Sequence, residues 1–160
     1  MSQLAIYPGT FDPITYGHID VIERTCRIFP EVIVAVAQTS RKKLLFDVDE
    51  RLEMVKQATK GLKGVRVEAF TGLVINFAKE NKTNVLIRGL RMLSDFEYEF
   101  QMALTNRRFA EKIETVFSMP SEKHSFISST LLKETAALGA DISTFVPKFV
   151  EQKIKAKLKL

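Results

Sequence analysis

Glu31-Val32-Ile33-Val34-Ala35-Val36-Ala37 is the stretch whose reading decides the fold. After Glu31 every residue is apolar and most are β-branched, so the alternation of a half-exposed strand is missing. A strand apolar on both faces belongs in a parallel sheet with helices packed above and below it. Toward the N-terminus, Leu4 to Tyr7 is a shorter apolar run that leads into a loop rich in Pro and Gly: Pro8, Gly9, Pro13 and Gly17. Ile19, Ile22, Cys26 and Phe29 then recur at helical spacing. Toward the C-terminus, Asp47 and Glu50 form a capping-box pattern that opens a helix through Leu52, Val55 and Ala58, with Gly61 and Gly64 at its exit.

The alternation continues. Val65 to Phe70 reads as a strand, Leu73 to Glu80 as a short helix, and Val85-Leu86-Ile87 as a third strongly apolar strand ending on Arg88-Gly89. A long helix is expected from about Ser94 to Ala110. Asp95, Glu97 and Glu99 lie early in it, and Phe96, Phe100, Ala103 and Leu104 are its expected buried stripe. Thr115 to Met119 is the last strand, and Ser128 or Ser129 caps a helix running to about Leu138. The expectation is an α/β fold: a Rossmann-like, doubly wound parallel sheet of about five strands with helices on both faces. Such sheets bind ligands at the carboxyl ends of their strands. That directs attention to Pro8–His18, Gln38–Phe46, Thr71–Val74, Arg88–Arg91 and Pro120–Thr130.

With 160 residues, 46% of them hydrophobic, the chain is expected to form one domain over residues 1–160. The net charge of +5 invites a nucleic-acid reading, but its distribution argues against one. Lys148, Lys153, Lys155, Lys157 and Lys159 face only Glu151 in residues 147–160, while the remainder holds 19 basic and 18 acidic residues. That is a Lys-rich amphipathic terminal helix with a solvated lysine face, not the distributed basic stripe that phosphate backbones require. The longest strongly apolar run is far shorter than the ~20 residues that span a bilayer. There is no basic N-terminal region before an apolar stretch, and Cys26 has no partner for an internal disulfide. The expectation is a cytoplasmic protein with neither nucleic acid nor membrane among its partners.

Both histidines, His18 and His124, fall in loops that follow strands. His18 sits near the start of the first helix, beside amide groups that favour an anion. It is either a group aimed at that anion or a helix-entry residue bonded to its own backbone. The loop before it is neither G-x-G-x-x-G nor a phosphate-binding G-K-S/T loop. Asp12 reads as a turn or capping residue rather than a metal ligand.

Thr15-Tyr16-Gly17-His18 matches the H/T-x-G-H signature of the nucleotidyltransferase superfamily, and Ile127-Ser128-Ser129-Thr130-Leu131-Leu132-Lys133 matches its I-S-S-T-x-x-R/K signature. The wider strings Y-P-G-T-F-D-P-I-T, L-I-R-G-L-R (Leu86 to Arg91), D-F-E-Y-E (Asp95 to Glu99) and S-F-I-S-S (Ser125 to Ser129) narrow the likeness. Over nearly its whole length the chain resembles the bacterial phosphopantetheine adenylyltransferases. The resemblance implies transfer of the adenylyl group of ATP to 4′-phosphopantetheine, giving dephospho-coenzyme A and pyrophosphate. It further implies a Mg²⁺ requirement, a homohexamer and feedback inhibition by coenzyme A, with no protein metal ligand assigned.

Carried over residue by residue, the resemblance makes His18 the stabiliser of charge on the α-phosphate. Thr10, Lys42, Val74 and Arg88 become contacts for phosphopantetheine. Thr10, Phe11, His18, Gly89, Leu90, Arg91, Glu99, His124, Ser125, Phe126, Ile127, Ser128, Ser129 and Thr130 become contacts for ATP. The sequence departs from the pattern at Tyr16, where Asn is frequent, at Leu44, where Pro is frequent, at His124, where a large aromatic is usual, and at Lys133, where the superfamily more often has Arg. The chemistry agrees with the residues present. A phosphate monoester, with a second pKa near ~6, is already an anionic nucleophile at neutral pH. The barrier is anion meeting anion, which calls for positioning and electrostatic stabilisation and not for a protein base. The expected course is direct in-line attack with no covalent enzyme intermediate. Rival readings are a nucleotidyltransferase with another acceptor, such as nicotinamide mononucleotide or glycerol 3-phosphate, and a basic nucleic-acid-binding module.

Overall fold

A computed structural model describes residues 3–39, 43–126 and 128–159. The strands are β1 Leu4–Gly9, β2 Glu31–Ala37, β3 Val65–Phe70, β4 Val85–Gly89 and β5 Glu114–Ser118, with helices α1 Tyr16–Cys26, α2 Val48–Thr59, α3 Val74–Glu80, α4 Leu93–Phe109, α5 Glu122–Ser125, α6 Ser129–Ala137 and α7 Lys148–Leu158. All strands pair in parallel, in the order β3-β2-β1-β4-β5. The order turns back at β1, which lies between β2 and β4, so the two halves of the sheet wind outward from a switch point there.

The deciding stretch is buried as its composition requires: Val32 through Val36 are at most 1% exposed. On one face Val32, Val34 and Val36 pack with Val21 and Ile22 of α1, Met54 and Val55 of α2, and Val150 and Ile154 of α7. On the other, Ile33 and Ala35 pack with Ile75, Phe77 and Ala78 of α3. Helices on both faces also satisfy the strands' parallel geometry, since each crossover must leave the sheet plane. The tight exit from α2 rests on Gly64, at φ +75°, where an added Cβ would lie 2.1 Å from the Pro30 carbonyl oxygen.

α2 begins on the expected capping box: Glu50 N donates to Asp47 Oδ1 and Asp47 N donates to Glu50 Oε2, both at 2.9 Å. Four details differ from the sequence expectation. β1 continues through Pro8 to Gly9, because pairing with β2 outlasts the apolar run. α5 is a single turn, too short to show a period. The terminal helix does not simply solvate its lysines: Lys157 bonds Glu50 at 2.8 Å and Lys153 bonds Glu53 at 3.1 Å, both on α2.

The fourth difference concerns α4. Phe96, Phe100 and Leu104, expected to be buried, are 43%, 45% and 48% exposed, and Ala103 is only half-buried. The period is helical, but α4 packs beside β5 at the edge of the sheet, with no further strand beyond it. Among its described side chains the buried one is instead Glu99.

Candidate active site

A cleft of about 1010 Å³ opens at the carboxyl ends of β1 and β4, at the switch point. Every loop singled out from the sequence reaches it, through Thr10 and His18, Thr39 and Leu44, Gly72, Gly89 and Arg91, and Pro120 and Ser129.

The loop after β1 is held from inside. Phe11, at φ 50°, turns its ring back between Tyr7 (5.5 Å, edge-on) and His18 (5.1 Å, edge-on). Gly9 makes room for it, since a Cβ there would lie 2.8 Å from Phe11 Cζ. Asp12, expected to act within its own turn, reaches further. Its carboxylate accepts Phe46 N at 2.9 Å and Leu45 N at 3.0 Å, and it pairs with the ammonium of Lys133 on α6. A buried carboxylate needs such partners, and these tie the first loop to the entry of α2 and to the second signature.

His18 takes the helix-entry role, and the same contact leaves its other ring nitrogen for the cleft. Thr15 caps α1 by accepting from His18 N at 3.4 Å, while Thr15 N donates to His18 Nδ1 at 3.0 Å. A backbone N–H can only donate, so Nδ1 is the acceptor and the neutral ring carries its proton on Nε2. Burial, then the charges of Arg91 and Arg88, push the His18 pKa down to about 4. At neutral pH His18 is therefore an uncharged, oriented Nε2–H donor on the wall of the cleft.

Across from it, Arg88 at the end of β4 is clamped. It bonds Glu99 twice, from Nε at 2.7 Å and Nη2 at 2.5 Å, and Nη1 donates to the Pro8 carbonyl at 2.8 Å. Burial opposes its charge, but the bonds and charge of Glu99 more than offset that and raise its pKa. Arg91 pairs with Asp95 at 3.1 Å. On the far wall Ser128 caps α6 by accepting from Leu131 N at 3.1 Å, and Ser129 Oγ donates to the Pro13 carbonyl at 2.9 Å. The starts of α1 and α6 thus face one cleft, each presenting amide donors suited to a polyanion.

Thr10, Phe11, His18, Arg88, Gly89, Arg91, Glu99, Ser128, Ser129 and Thr130 all border the cleft. Lys42 and Ile127 lie outside the described residues. The cleft wall does not include Val74, Leu90, His124, Ser125 or Phe126. Val74 opens α3 and packs on the core beneath it. Leu90 N donates to Ser118 O at 2.9 Å, joining the β4 and β5 ends. His124 stacks on Tyr16 at 5.7 Å, Ser125 Oγ donates to Glu122 O at 2.8 Å, and Phe126 meets Phe145 edge-on at 5.8 Å.

Sequence reasoning missed Thr15 as the partner that fixes the His18 tautomer, Asp95 as the partner of Arg91, and Arg51. Arg51 shares a helical face with Met54 and Val55, and a cation on an apolar face was the signal available. Among the described residues no group of three or more His, Cys, Asp or Glu is gathered for a metal.

A sheet of this order, with T-x-G-H opening α1 and the I-S-S-T signature opening α6 over one donor-lined cleft, defines a nucleotidyltransferase. The cytidylyltransferase-like family matches residues 6–135. A phosphopantetheine adenylyltransferase from Thermodesulfovibrio yellowstonii is 52% identical over 160 residues, covering 99% of each chain. Two solved structures share the fold at low identity. The nicotinic acid mononucleotide adenylyltransferase of Plasmodium falciparum, complexed with APC, aligns with TM-score 0.70 at 17% identity over 98% of this chain and 96% of that one. A bifunctional NMN adenylyltransferase/ADP ribose pyrophosphatase from Francisella tularensis aligns with TM-score 0.72 at 13% identity over 100% of this chain and 50% of that one. The chain belongs to the cytidylyltransferase-like family of nucleotidyltransferases and, within it, to the phosphopantetheine adenylyltransferases.

Proposed function

We propose that this nucleotidyltransferase joins the adenylyl group of ATP to 4′-phosphopantetheine, forming dephospho-coenzyme A and pyrophosphate in one in-line step. The observation that carries the choice of acceptor is the full-length, 52% identical relative named for that reaction. The donor set of the cleft supports the mechanism. A phosphate oxygen of the acceptor forms the new bond to the α-phosphorus as the bond to the bridging oxygen of pyrophosphate breaks, and the electron pair leaves with pyrophosphate. No proton has to move, because the attacking monoester is already anionic.

His18 Nε2–H donates to an α-phosphate oxygen as charge builds there, which the neutral, pre-oriented ring does without reorganising. Thr10 and Lys42 hold the acceptor phosphate, and Arg88 helps to bind the same substrate. Arg88 enters with its orientation already set by Glu99 and Pro8. Phe11, Gly89, Arg91 and Glu99 serve the nucleotide, together with Ser128, Ser129 and Thr130. The donors at the start of α6 face its triphosphate.

Mg²⁺ belongs to this reading as a cation carried on ATP. Asp12, Asp95 and Glu99 each already face a cation, so the fit is to Mg²⁺ held by phosphates and water rather than by a protein cage. When bound it would neutralise charge on the departing pyrophosphate. The exposed apolar positions Leu93, Phe96, Phe100 and Leu104 follow one face of α4 and support burial against further copies of the chain, in a homohexamer. Coenzyme A, which contains the acceptor's pantetheine arm, would act as a feedback inhibitor. The proposed compartment is the cytoplasm; no helix among the described residues is long and apolar enough to cross a membrane.

The test is pyrophosphate release from ATP with Mg²⁺, run in parallel with 4′-phosphopantetheine and with nicotinamide mononucleotide. Turnover with the first and not the second is expected. Turnover with the mononucleotide alone would overturn the choice of acceptor.

A further inference from the structure

Among the described residues Arg51 is the largest fully buried side chain, at 0% exposure. Every hydrogen bond it makes is to a backbone carbonyl. Nε donates to Phe46 O and Asp47 O at 3.2 Å, Nη1 to Thr10 O at 2.8 Å and Ala37 O at 2.7 Å, and Nη2 to Gln38 O at 3.4 Å. These oxygens come from three separate pieces of chain: the loop after β1, the end of β2, and the entry to α2. Gln38 and Phe46 are the two ends of the loop that carries Thr39 and Leu44 to the cleft wall, and Thr10 borders the same cleft.

We propose that Arg51 is a positioning residue for the acceptor-phosphate half of the site. From beneath the cleft it sets Thr10 relative to the end of β2 at Ala37 and Gln38 and to the entry of α2 at Phe46 and Asp47, and it places a positive charge under them. The proposal rests on the reading of Thr10 as a group that holds the acceptor phosphate.

Two observations carry it. First, the junction is built from complementary charges. Arg51 gathers carbonyls while Asp12, from the first loop, gathers the Leu45 and Phe46 amides, so opposite charges hold the same corner from its two sides. A trans peptide directs its N–H opposite to its C=O. With Thr10 O turned to Arg51, the Phe11 N–H points away from it. Second, the cations bordering the cleft are bonded to carboxylates: Arg88 to Glu99, Arg91 to Asp95 and Lys133 to Asp12. The charges of Asp12 and Asp47 favour the Arg51 cation, but it makes no hydrogen bond to either carboxylate. Burying a cation is costly, and a core filler would be an apolar residue. A planar fork with five N–H groups is the one side chain able to reach so many oxygens at once; Lys offers three on a single atom.

The experiment compares Arg51→Lys and Arg51→Met with the unsubstituted protein, reading kcat, both KM values and the melting temperature. The expected result for Arg51→Met is a KM for 4′-phosphopantetheine raised about tenfold or more, with the KM for ATP within about threefold. Arg51→Lys, which keeps the charge and loses the fork, falls between. A merely structural role predicts lower melting temperatures with the two KM values unchanged or raised together, and that result overturns the proposal. If Arg51→Met does not fold, the ratio of the two KM values in Arg51→Lys decides it: a raised ratio supports positioning, an unchanged one overturns it. Absence of turnover by the unsubstituted protein on phosphopantetheine would refute the acceptor reading itself, and this role with it, independently of the variants.

Discussion

Replacing His18 by Ala removes one hydrogen-bond donor from the cleft and one acceptor from the start of α1. The two losses are separable. Because Nδ1 is held by Thr15 N at 3.0 Å, only Nε2–H is available to substrate. Losing a single donor aimed at developing charge costs about 2.7–4 kcal/mol, or ~10²–10³ in kcat, with little change in either KM. The cap is worth about 1 kcal/mol of stability. His18→Gln, which restores an N–H near the position of Nε2, should recover part of the rate. The assay is pyrophosphate release at saturating ATP and phosphopantetheine, with a thermal melt of each variant as control. The same side chain makes a pH prediction. With a folded pKa of about 4 and an unfolded value near ~6.5, the unfolded chain binds the extra proton between those limits. His18 therefore contributes stability that is complete above pH ~6.5 and is lost as pH falls toward ~4, about 3 kcal/mol in all. His18→Ala should flatten the stability profile in that window. A folded His18→Ala enzyme with kcat within about threefold of the unsubstituted one would refute the donor role.

Glu99→Gln leaves the Arg88 guanidinium without its counter-charge; about 3 kcal/mol of stability should go with it, read by urea unfolding, and a loss below about 0.5 kcal/mol would contradict the clamp. Phe100→Asp combined with Leu104→Glu places charge on the exposed face of α4 and should convert the proposed homohexamer to smaller species in sedimentation velocity. An unchanged sedimentation coefficient would remove that face from the interface. Ile154→Ala, on α7 at 0% exposure and remote from the cleft, should cost about 2–4 kcal/mol while leaving KM values unchanged below the melting range. Raised KM values there would mean that α7 shapes the site.

How much was legible beforehand depended on how local the signal was. β2 announced its two-sided burial because its composition alone excludes a solvated face. The capping box of α2 was readable because Asp47 and Glu50 lie three residues apart. The cleft was readable as a set of loops, since parallel sheets gather them at one end, and His18 and the α6 start fell inside it. Other features depended on distance in the chain. The stripe of α4 has the right period, but a period does not say whether the sheet extends beneath it, and α4 stands past the last strand. Asp12 looks like a turn residue until Leu45, Phe46 and Lys133 are brought against it. Arg51 lies on the apolar face of α2, but only the fold shows Thr10 and Ala37 turning their carbonyls toward it. His18 posed a choice between capping and chemistry, and the two are compatible, because capping on Nδ1 leaves Nε2–H to face the cleft.

The claim at the centre of this account is that the acceptor phosphate attacks ATP directly, with the protein supplying donors and charge and never a nucleophile. The stereochemical course at the α-phosphorus tests it most directly, using ATP chiral through sulfur at that position and reading the configuration of the adenylylated product. Inversion is predicted. Retention, which requires two displacements and an adenylylated protein between them, would contradict it.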